Sequence, residues 1–487
     1  MLDSPSLALT AAHPLVVDLD GTLTPTDTLW ESIIRLIQQR PLSLLLLPLW
    51  LLSGRAGFKS RIARQVRWGG QGVPLHEGLL AYLREQKTAG RRIVLCTAAN
   101  ERIAQTVAER VGLFDQVIAS DEHNNFKSER KRDVIRERVG NEFVYAGDSN
   151  ADLPVWKAAS AAIVVGGSER FRRRVASQSA IERNFEPQTG RAGLRVWLKA
   201  IRAHQWLKNL LILVPLLTSF SGDWHRVRLA LCAFFAFSFA ASATYLVNDL
   251  WDLDSDRAHA RKKNRPLASG AVTISQALFV GVALMVTAFA IALSTTLPFA
   301  ALLFIYVILT STYSWKLKRV VVADVLTLAS LYTLRVLAGA MAIGVDVSSW
   351  LLAFSGFLFF GLALVKRCAE LVSLEQEGRT GASGRDYKVA DLKVLWPMGV
   401  GASLCAVVVF GLFIHAPDTI VRYSSPKLIW FAALGLIYWL TRLWIKTARG
   451  EMHDDPLVFA VRDLNSRIVI AIIVGVTLLA HFVKLDI

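Results

Sequence analysis

The sequence predicts two domains of different class: an amino-terminal α/β domain, doubly wound with a small helical cap, and a carboxy-terminal all-α bundle of nine transmembrane helices. Over residues 1–165, short apolar strands alternate with helical segments, which is typical of a parallel sheet covered by helices on both faces. From about residue 206 onward, nine apolar segments approach the length that a bilayer requires. The chain has 487 residues, of which 53% are apolar, so more than one domain is expected.

Four strands are predicted in the first domain. They read PLVVDLDGTL at 14–23, RRIVLCT at 91–97, EFVYAGD at 142–148 and AAIVV at 161–165. Helical patterns occupy residues 76–89 and 101–112 between them. Ligands of parallel sheets bind beyond the carboxyl ends of the strands. Asp18, Thr97 and Asp148 are predicted to lie there.

Residues 24–75 interrupt this alternation and are predicted to form the cap. Within the cap, the apolar stretch 41–52, PLSLLLLPLWLL, is too short to cross a bilayer. Two interpretations stay open for it. It is either a core helix of the cap or an interfacial segment that rests the cap on the membrane.

A basic stretch at 166–200, interrupted by Gly and Pro, is predicted to be a linker with an amphipathic helix near 191–203. The second domain, 201–487, then holds the predicted spans, at 206–221, 228–249, 274–294, 297–314, 322–343, 349–366, 394–414, 428–445 and 468–484. Lys and Arg concentrate in alternate loops, which places the first domain in the cytosol and the carboxy terminus outside a cell (inner) membrane. No cleavable signal peptide is evident, which agrees with that orientation.

The net charge of +16 comes from basic residues that border apolar spans and do not form one stripe. Membrane lipid and anionic substrates are therefore favoured as partners over nucleic acid. The four cysteines form no CxxC pair, which argues against a zinc site or a disulfide framework. The sequence leaves oligomerisation open.

Two carboxylates, Asp18 and Asp20, stand two residues apart in the DLDGT sequence after the first strand. In an extended turn, this spacing lets one carboxylate attack a phosphorus atom while the other transfers protons, with a phosphoaspartate as intermediate. Thr97 can donate its hydroxyl to a phosphate, and a lysine can supply positive charge. Asp148 and Asp152, in GDSNAD, offer the carboxylate oxygens that Mg²⁺ prefers.

The segments DLDGT, LCTAAN, NFKSERK and GDSNAD, in this order over residues 14–165, resemble the motifs of the haloacid dehalogenase phosphatase superfamily. The resemblance implies that Asp18 is the nucleophile, Asp20 the general acid and base, Thr97 a phosphate ligand and Asp148 a metal ligand. The expected Mg²⁺ ligands are Asp18, Asp20, Asp148 and Asp152.

The lysine of the third motif is ambiguous. Lys131 has the expected spacing ahead of its helix, but Lys127 is close to it. Ser128 stands where such segments often have Gly.

A second acidic group closes the second predicted span, where Asn248, Asp252 and Asp256 recur every four residues with Asp249 beside them. On a helix these side chains share one face. Carboxylates at the end of a span are costly unless they are paired or bound to metal. Mg²⁺ that bridges them to a diphosphate would neutralise them.

Basic residues are also predicted within or beside the spans. Arg335 lies in the fifth span on one face with Asp324, and so deep an arginine should face a polar cavity unless it is a structural ion-pair partner. Lys208 enters the first span, where it either binds a phosphate or snorkels to the interface. Asp454 and Asp455 lie in the loop before the ninth span.

Residues from about 195 to 487 resemble the UbiA superfamily of intramembrane prenyltransferases, through the NDxxDxxxD spacing at 248–256 and the YSxxxK…D segment at 313–324. More narrowly, RAHQWLKN, NDLWDLDSDRAHARKKNRP, KRCAEL and DDPLVFAVRD resemble the decaprenyl-phosphate phosphoribosyltransferase branch. The resemblance implies a nine-helix bundle with a central cavity and Mg²⁺-assisted group transfer with loss of diphosphate. In this branch the donor is phosphoribosyl diphosphate and the acceptor is a polyprenyl phosphate.

The resemblance extends to individual residues. Asp249 and Asp252 are expected to be catalytic, and Asn248, Asp249, Asp252 and Asp256 to hold Mg²⁺. The expected substrate-binding residues are Lys208, Asn209, Asn248, Arg265, Tyr313, Lys318, Asp324, Arg335, Lys366 and Arg367.

Together, the two resemblances predict an integral-membrane enzyme that transfers phosphoribosyl to a polyprenyl phosphate and whose phosphatase domain removes the 5-phosphate of the product. One alternative is prenyl transfer from a prenyl diphosphate to an aromatic acceptor. Another is a membrane-anchored phosphatase whose helical domain is not catalytic.

Overall fold

The computed structural model describes residues 13–68, 72–186, 193–220, 222–381, 385–452 and 455–484. The chain divides into two units, one made of residues 1–201 with 245–281 and the other of residues 202–244 with 282–487. The acidic segment 248–256 therefore belongs to the first unit, although the sequence predicted a single boundary at residue 201. Long-range ion pairs within the first unit, described below, account for this difference.

A six-stranded parallel sheet forms the centre of the first unit. Its strands are β1 Leu15–Val17, β2 Ile93–Asn100, β3 Gln116–Ser120, β4 Val144–Gly147, β5 Ala161–Val165 and β6 Ile181–Phe185, in the spatial order β3-β2-β1-β4-β5-β6. The four predicted strands are confirmed, whereas β3 and β6 were not predicted. Both missed strands lie at the edges of the sheet, where one side meets solvent and no continuous apolar run is required.

Among the described residues up to 201, nine α-helices accompany this sheet: α1 Thr28–Gln39, α2 Leu47–Leu51, α3 Gly54–Gln65, α4 Glu77–Thr88, α5 Glu101–Val111, α6 Glu129–Arg138, α7 Leu153–Trp156, α8 Glu169–Ala176 and α9 Leu194–Ala200. The helices predicted at 76–89 and 101–112 are confirmed as α4 and α5. The linker predicted at 166–200 needs correction, because α8 and β6 extend the sheet domain to residue 185. The predicted amphipathic helix corresponds to α9.

Two apolar cores cover the two faces of the sheet. Alternate residues of one strand enter different cores: Leu15 and Val17 pack in one, and Val16 packs in the other. All three side chains are completely buried. This burial on both faces explains why the central strands read as continuous apolar runs in the sequence.

The cap has a small core of its own, formed by α1, α3 and the segment between them. Asp27 caps α1 by accepting hydrogen bonds from the amides of Leu29 and Trp30. In the apolar stretch 41–52, Trp50 is 7% exposed and packs in this core. Seven leucines of the stretch point outward, so the interpretation as a core helix does not describe them.

The remaining helices are α10 Val214–Thr218, α11 Trp224–Trp251, α12 Leu253–Ala258, α13 Ile274–Thr295, α14 Leu297–Trp315, α15 Ala323–Ile343, α16 Ser349–Gln376, α17 Leu392–Ile414, α18 Pro417–Arg422, α19 Ile429–Ala448, α20 Pro456–Arg462 and α21 Leu464–Phe482. Within the described residues, eight of them are long and apolar enough to cross a membrane: α11, α13, α14, α15, α16, α17, α19 and α21. They match eight of the nine predicted spans.

The first predicted span, 206–221, does not form a regular long helix. Residues Ala203–Leu213 form a 3₁₀-helix, and the short helix α10 follows. Pro215 lacks the amide hydrogen that an uninterrupted α-helix would use there. The Ile212 carbonyl lies directly against Gly339, where a β-carbon would collide with it. The predicted count of nine transmembrane α-helices is therefore not confirmed.

Candidate active sites

The first candidate site lies at the carboxyl edge of the parallel sheet. Asp18 follows β1, Thr97 lies within β2 three residues before its last residue, where the pairing with β3 becomes irregular, and Asp148 follows β4. Because β1 pairs with both β2 and β4, these three positions lie side by side, as the sequence predicted. The order of the strands also reverses at β1, which is where parallel sheets form a ligand crevice.

A buried lysine neutralises the acidic centre of this site. The Lys131 ammonium lies 2.8 Å from an Asp18 oxygen and 3.5 Å from an Asp152 oxygen. It also donates a 3.0 Å hydrogen bond to the Tyr145 hydroxyl, which in turn donates to Asp152 at 2.8 Å. The helix α6 thus presents Lys131 to Asp18, while Lys127 lies on the wall of the same pocket.

Three carboxylates of the site are close enough to share a metal ion. Oxygens of Asp18, Asp148 and Asp152 lie within 4.8 Å of one another, a grouping found only here among the residues that the structure describes. Burial, and next the neighbouring charges of Asp18 and Asp152, raise the pKa of the Asp148 carboxyl well above its usual value. A divalent cation bound by these oxygens would relieve that repulsion, so the donor set fits Mg²⁺.

Asp20 is not one of the three carboxylates that lie within 4.8 Å of one another, and its predicted role as a Mg²⁺ ligand stays a prediction. Its carboxylate accepts a 2.8 Å hydrogen bond from the amide of Thr28, at the start of α1 in the cap. Burial, together with the nearby Asp27, raises the pKa of Asp20 to about 7. A carboxyl group with that pKa can both give and take a proton near neutrality, as a general acid and base must.

Position 21, directly after Asp18 and Asp20, requires glycine because the Asp148 carboxylate lies against it. Gly21 has a φ of +79°, and a β-carbon at this position would collide with the Asp148 carboxylate. Ser128, just before α6, has a φ of +56°. That value accounts for the Gly often found in such segments.

These side chains line a pocket of about 660 Å³, called here the sheet-edge pocket. The cap contributes Trp30 and Lys59 to its wall, and the Lys59 ammonium donates a 2.7 Å hydrogen bond to the Ala98 carbonyl. Another part of the wall comes from residues 273–275, at the start of the long apolar helix α13. None of these contributions was predicted, because no local pattern marks a residue that reaches a pocket from another element.

The second candidate site is the acidic segment 248–256. Backbone hydrogen bonds from Asp252 to Asn248 and from Asp256 to Asp252 carry the helical register across the junction of α11 and α12. The predicted common face of these three residues is therefore present. Asp249 and Asp256 are nearly buried, and both accept hydrogen bonds from the Arg265 guanidinium. The second oxygen of Asp256 is buried and accepts no hydrogen bond within the described residues.

Two ion pairs hold this acidic segment to the cap within the first unit. Arg35 of α1 donates to both oxygens of Asp254, at 2.7 and 3.1 Å. Arg257 donates to both oxygens of Glu31, also on α1, at 2.6 and 3.0 Å. Arg257 further donates to the carbonyl of Gly72 at 3.0 Å. These contacts fix residues 252–275 beside the sheet-edge pocket.

The second unit contains a cationic group, called here the Lys208 cluster. The ammonium groups of Lys208 and Lys366 lie 2.8 and 3.0 Å from one oxygen of Asp455. Arg335 donates a 2.8 Å hydrogen bond to Asn209 and a 3.2 Å hydrogen bond to the Tyr306 hydroxyl. Lys208 and Lys366 thus share one carboxylate, and Arg335 donates to neutral oxygen atoms; such an excess of positive charge suits an anionic ligand.

Other predicted substrate-binding residues form a separate, closed network. Arg367 is completely buried and pairs with Asp324 and Glu370. The Tyr313 hydroxyl donates to Asp324 at 2.8 Å. This internal pairing does not test the predicted role of these residues in substrate binding, which stays a prediction. Lys318 is half-buried, and the predicted Asp454 lies outside the described residues.

Comparison with known proteins agrees with both halves of the chain. The profile of the UbiA prenyltransferase family matches residues 211–466, and that of the haloacid dehalogenase-like hydrolases matches residues 15–157. The protein y4nM of Sinorhizobium fredii is 36% identical over 96% of this chain and 91% of its own length.

Two further relatives align with the second half. The nodulation protein NoeC of Azorhizobium caulinodans is 33% identical and covers 56% of this chain and 89% of its own. A decaprenyl-phosphate phosphoribosyltransferase of Mycobacterium tuberculosis is 33% identical and covers 55% of this chain and 87% of its own. The chain belongs to the UbiA prenyltransferase family and is a multi-pass membrane transferase fused to a haloacid dehalogenase-type phosphohydrolase domain.

Proposed function

We propose that the enzyme transfers a phosphoribosyl group from phosphoribosyl diphosphate to a polyprenyl phosphate and then removes the 5-phosphate from the lipid-linked product. The similarity to a decaprenyl-phosphate phosphoribosyltransferase supports the first step. The link between the two steps is supported by the path of the chain over residues 252–275. This stretch begins in the acidic segment and ends in the wall of the sheet-edge pocket.

In the transfer step, the bond between ribose C1 and the diphosphate oxygen breaks, and an oxygen of the acceptor phosphate bonds to that carbon. The acidic segment would bind Mg²⁺ and the diphosphate leaving group, with Asn248, Asp249, Asp252 and Asp256 as ligands. Arg265 pairs with Asp249 and Asp256, and if these carboxylates held Mg²⁺, its guanidinium would be available to the diphosphate oxygens.

The Lys208 cluster supports binding of the acceptor phosphate. Lys208 and Lys366 share the single carboxylate of Asp455, so an incoming phosphate would meet uncompensated positive charge. We assign Arg335 and Asn209 to the same role. Tyr313, Asp324 and Arg367 are assigned to the structural network that supports the helices.

In the phosphatase step, an Asp18 oxygen attacks the phosphorus atom, and the bond from phosphorus to the ribose oxygen breaks. Asp20 protonates the leaving ribose oxygen, which becomes a hydroxyl, and then takes a proton from the water that hydrolyses the phosphoaspartate. Thr97 and Lys131 hold the phosphate. Mg²⁺ held by Asp18, Asp148 and Asp152 would offset the charge of the phosphate oxygens.

The wall of the sheet-edge pocket has further groups beside those that would hold the phosphate. That wall offers the indole of Trp30 and the hydroxyls of Thr26, Thr273 and Ser275. Hydroxyl groups and an aromatic face suit a sugar ring, which has hydrogen-bonding groups at its edge and C–H groups on its face. This composition supports a phosphorylated sugar as the substrate.

Product analysis of the full-length enzyme tests the proposal. The enzyme is incubated with phosphoribosyl diphosphate, polyprenyl phosphate and Mg²⁺, and the lipids are identified by mass spectrometry. The wild type should yield lipid-linked ribose without the 5-phosphate, Asp18→Asn should accumulate the phosphorylated lipid, and Asp252→Asn should yield neither. The exposed residue Asp133 provides the control variant Asp133→Asn.

Each other outcome has a definite meaning. If Asp18→Asn yields the same dephosphorylated lipid as the wild type, the proposed coupling is wrong. Transfer from a labelled prenyl diphosphate, with none from phosphoribosyl diphosphate, would replace the proposed donor. If Asp249→Ala and Asp252→Ala change no activity, the helical domain does not catalyse the transfer.

We further propose that residues 203–218 make a ninth crossing, which keeps the amino terminus in the cytosol and the carboxy terminus outside. The 3₁₀-helix has eleven residues and α10 has five. At a rise of about 2.0 Å and about 1.5 Å per residue, they span roughly 30 Å, the thickness of the hydrocarbon core. A carboxy-terminal tag should then be digested by protease added outside spheroplasts, and protection of that tag would contradict the orientation.

A further inference from the structure

The apolar stretch Pro41–Leu52 of the cap presents a dense hydrophobic surface. Seven of its leucines are exposed by 45% or more: Leu42, Leu44, Leu45, Leu46, Leu49, Leu51 and Leu52. Of the apolar side chains in this stretch, Trp50 and Leu47 pack in the small core of the cap, and the polar Ser43 is also buried. Large contiguous apolar patches are rare on the water-facing surface of proteins and mark a site of interaction.

A hydrogen bond places this surface next to the end of a membrane-spanning helix. The Gln38 side chain, near the end of α1, donates a 2.6 Å hydrogen bond to the carbonyl of Trp251, the last residue of α11. Leu42 follows Gln38 by four residues, so the leucines begin within about 14 Å of the backbone of Gln38, whose side chain contacts that helix end. Trp251 is 40% exposed, as expected for an aromatic residue at the level of the lipid headgroups.

Basic residues flank the leucines. Arg40 directly precedes the stretch, and Arg61 lies on α3, which directly follows it; both are exposed. A segment of exposed leucines between arginines suits the boundary of a bilayer with anionic headgroups, where the apolar side chains enter the acyl region and the guanidinium groups pair with phosphates.

We infer that Pro41–Leu52 is an interfacial anchor that inserts its leucines into the membrane surface beside the end of α11. The anchor holds the cap, and with it the sheet-edge pocket, at the bilayer surface. A lipid-linked phosphate would then reach the pocket without leaving the membrane. This inference depends on the location of the chain in a membrane and not on the identity of the phosphatase substrate.

Spin labels on the full-length protein test this inference directly. Labels are attached to Leu45→Cys and Leu52→Cys in a background with Cys232 and Cys405 changed to serine, since Cys96 and Cys368 are buried. The protein is reconstituted into phosphatidylcholine vesicles with a minor fraction of phosphatidylglycerol. Relaxation is measured with oxygen, which concentrates in lipid, and with a water-soluble nickel chelate.

The control label replaces Gln105, an exposed residue of α5. Labels at positions 45 and 52 should be relaxed mainly by oxygen, and the label at position 105 mainly by the nickel chelate. If all three labels respond to the nickel chelate alike, the anchor does not exist. If positions 45 and 52 are shielded from both reagents, a protein surface or a second copy of the chain covers the leucines, and the inference is equally wrong.

A second measurement does not depend on labels at the leucines themselves. The double variant Leu45→Gln and Leu52→Gln replaces two outward side chains that make no core contact, so the cap should remain folded. A label at Leu49→Cys in this background should shift from oxygen towards nickel-chelate accessibility. An unchanged accessibility ratio at position 49 would overturn the inference.

Discussion

Arg257, in the helix that completes the acidic segment, donates to both carboxylate oxygens of Glu31 on the first helix of the cap. The side chains are 8% and 1% exposed, so this ion pair is almost completely removed from water. This ion pair joins two residues that are 226 positions apart in the chain. It connects the acidic segment, a motif of the transferase family, to the cap of the phosphohydrolase domain. Removal of one partner from a buried ion pair lowers the stability much more than removal of one partner from an exposed pair, because the remaining charge stays buried without a partner.

Glu31→Gln should loosen residues 252–275, because Arg257 would keep only the half-exposed carboxylate of Asp254, 3.9 Å away, as a counter-charge. The expected loss is about 3 kcal/mol, or roughly a 150-fold increase in the opening equilibrium of this stretch. Hydrogen exchange of the amides at 267–275 measures it. The exposed pair Glu169–Arg173 offers a control, Glu169→Gln, for which a loss of less than about 1 kcal/mol is expected. Equal effects of both variants would show that Glu31–Arg257 does not hold the stretch.

Gly21→Ala should abolish Mg²⁺ binding at the sheet-edge pocket, because its β-carbon would displace the Asp148 carboxylate. Binding can be followed with Mn²⁺ as a paramagnetic probe. Gly90→Ala is a matched control, since Gly90 has a φ of +81° but nothing near its missing β-carbon. Both variants share the backbone strain of about 1–2 kcal/mol, and only Gly21→Ala adds the collision. Similar Mn²⁺ affinity in the two variants would contradict the close approach to Asp148.

Ser128→Gly should stabilise the protein. A φ of +56° is unfavourable for serine and costs of order 1–3 kcal/mol, while glycine loses about 0.5–1 kcal/mol of backbone entropy. The difference predicts a net gain of about 1 kcal/mol and a higher unfolding temperature in a thermal scan. Ser177→Gly, at an ordinary helical φ of −75°, should lower that temperature instead. A decrease for both variants would mean that Ser128 is not strained.

Ser275→Ala should weaken binding of a phosphorylated sugar without impairing the reaction at phosphorus. Loss of one hydrogen bond predicts a KM for ribose 5-phosphate that is about three to ten times higher. The KM for p-nitrophenyl phosphate, which has no sugar, should not change. Ser269→Ala provides the control, because Ser269 is exposed and does not line the pocket. An equal change of KM for both substrates would contradict a role of Ser275 in recognising the sugar.

Lys208→Met should raise the KM for polyprenyl phosphate about tenfold, because a charge-assisted hydrogen bond to the phosphate is lost. Lys366 continues to balance Asp455 in this variant, so the helices should remain folded. The exposed residue Lys316 supplies the control variant Lys316→Met. A tenfold loss of kcat with an unchanged KM would place Lys208 at the reacting bond and not at the acceptor phosphate.

Much of the first site could be predicted from the sequence because its reactive side chains come at the carboxyl ends of the predicted strands. Asp18, Thr97 and Asp148 come directly from that pattern, and parallel pairing brings them together. The choice between Lys127 and Lys131 could not be made in this way. It depends on which side chain in the first turn of α6 faces Asp18. In the structure, the Lys131 ammonium lies 2.8 Å from an Asp18 oxygen.

The sequence alone determined the features that depend on near neighbours in the chain. Apolar runs predicted the central strands and eight of the long helices, and the four-residue spacing predicted the common face of Asn248, Asp252 and Asp256. Only the tertiary structure decided that this acidic segment packs with the cap, that Thr273–Ser275 line the phosphatase pocket, and that seven leucines of the cap face outward. These relationships join segments that are far apart in the chain or depend on which side of a helix is covered. Local periodicity does not encode them, because burial of a given face depends on which distant surface the folded chain brings against it.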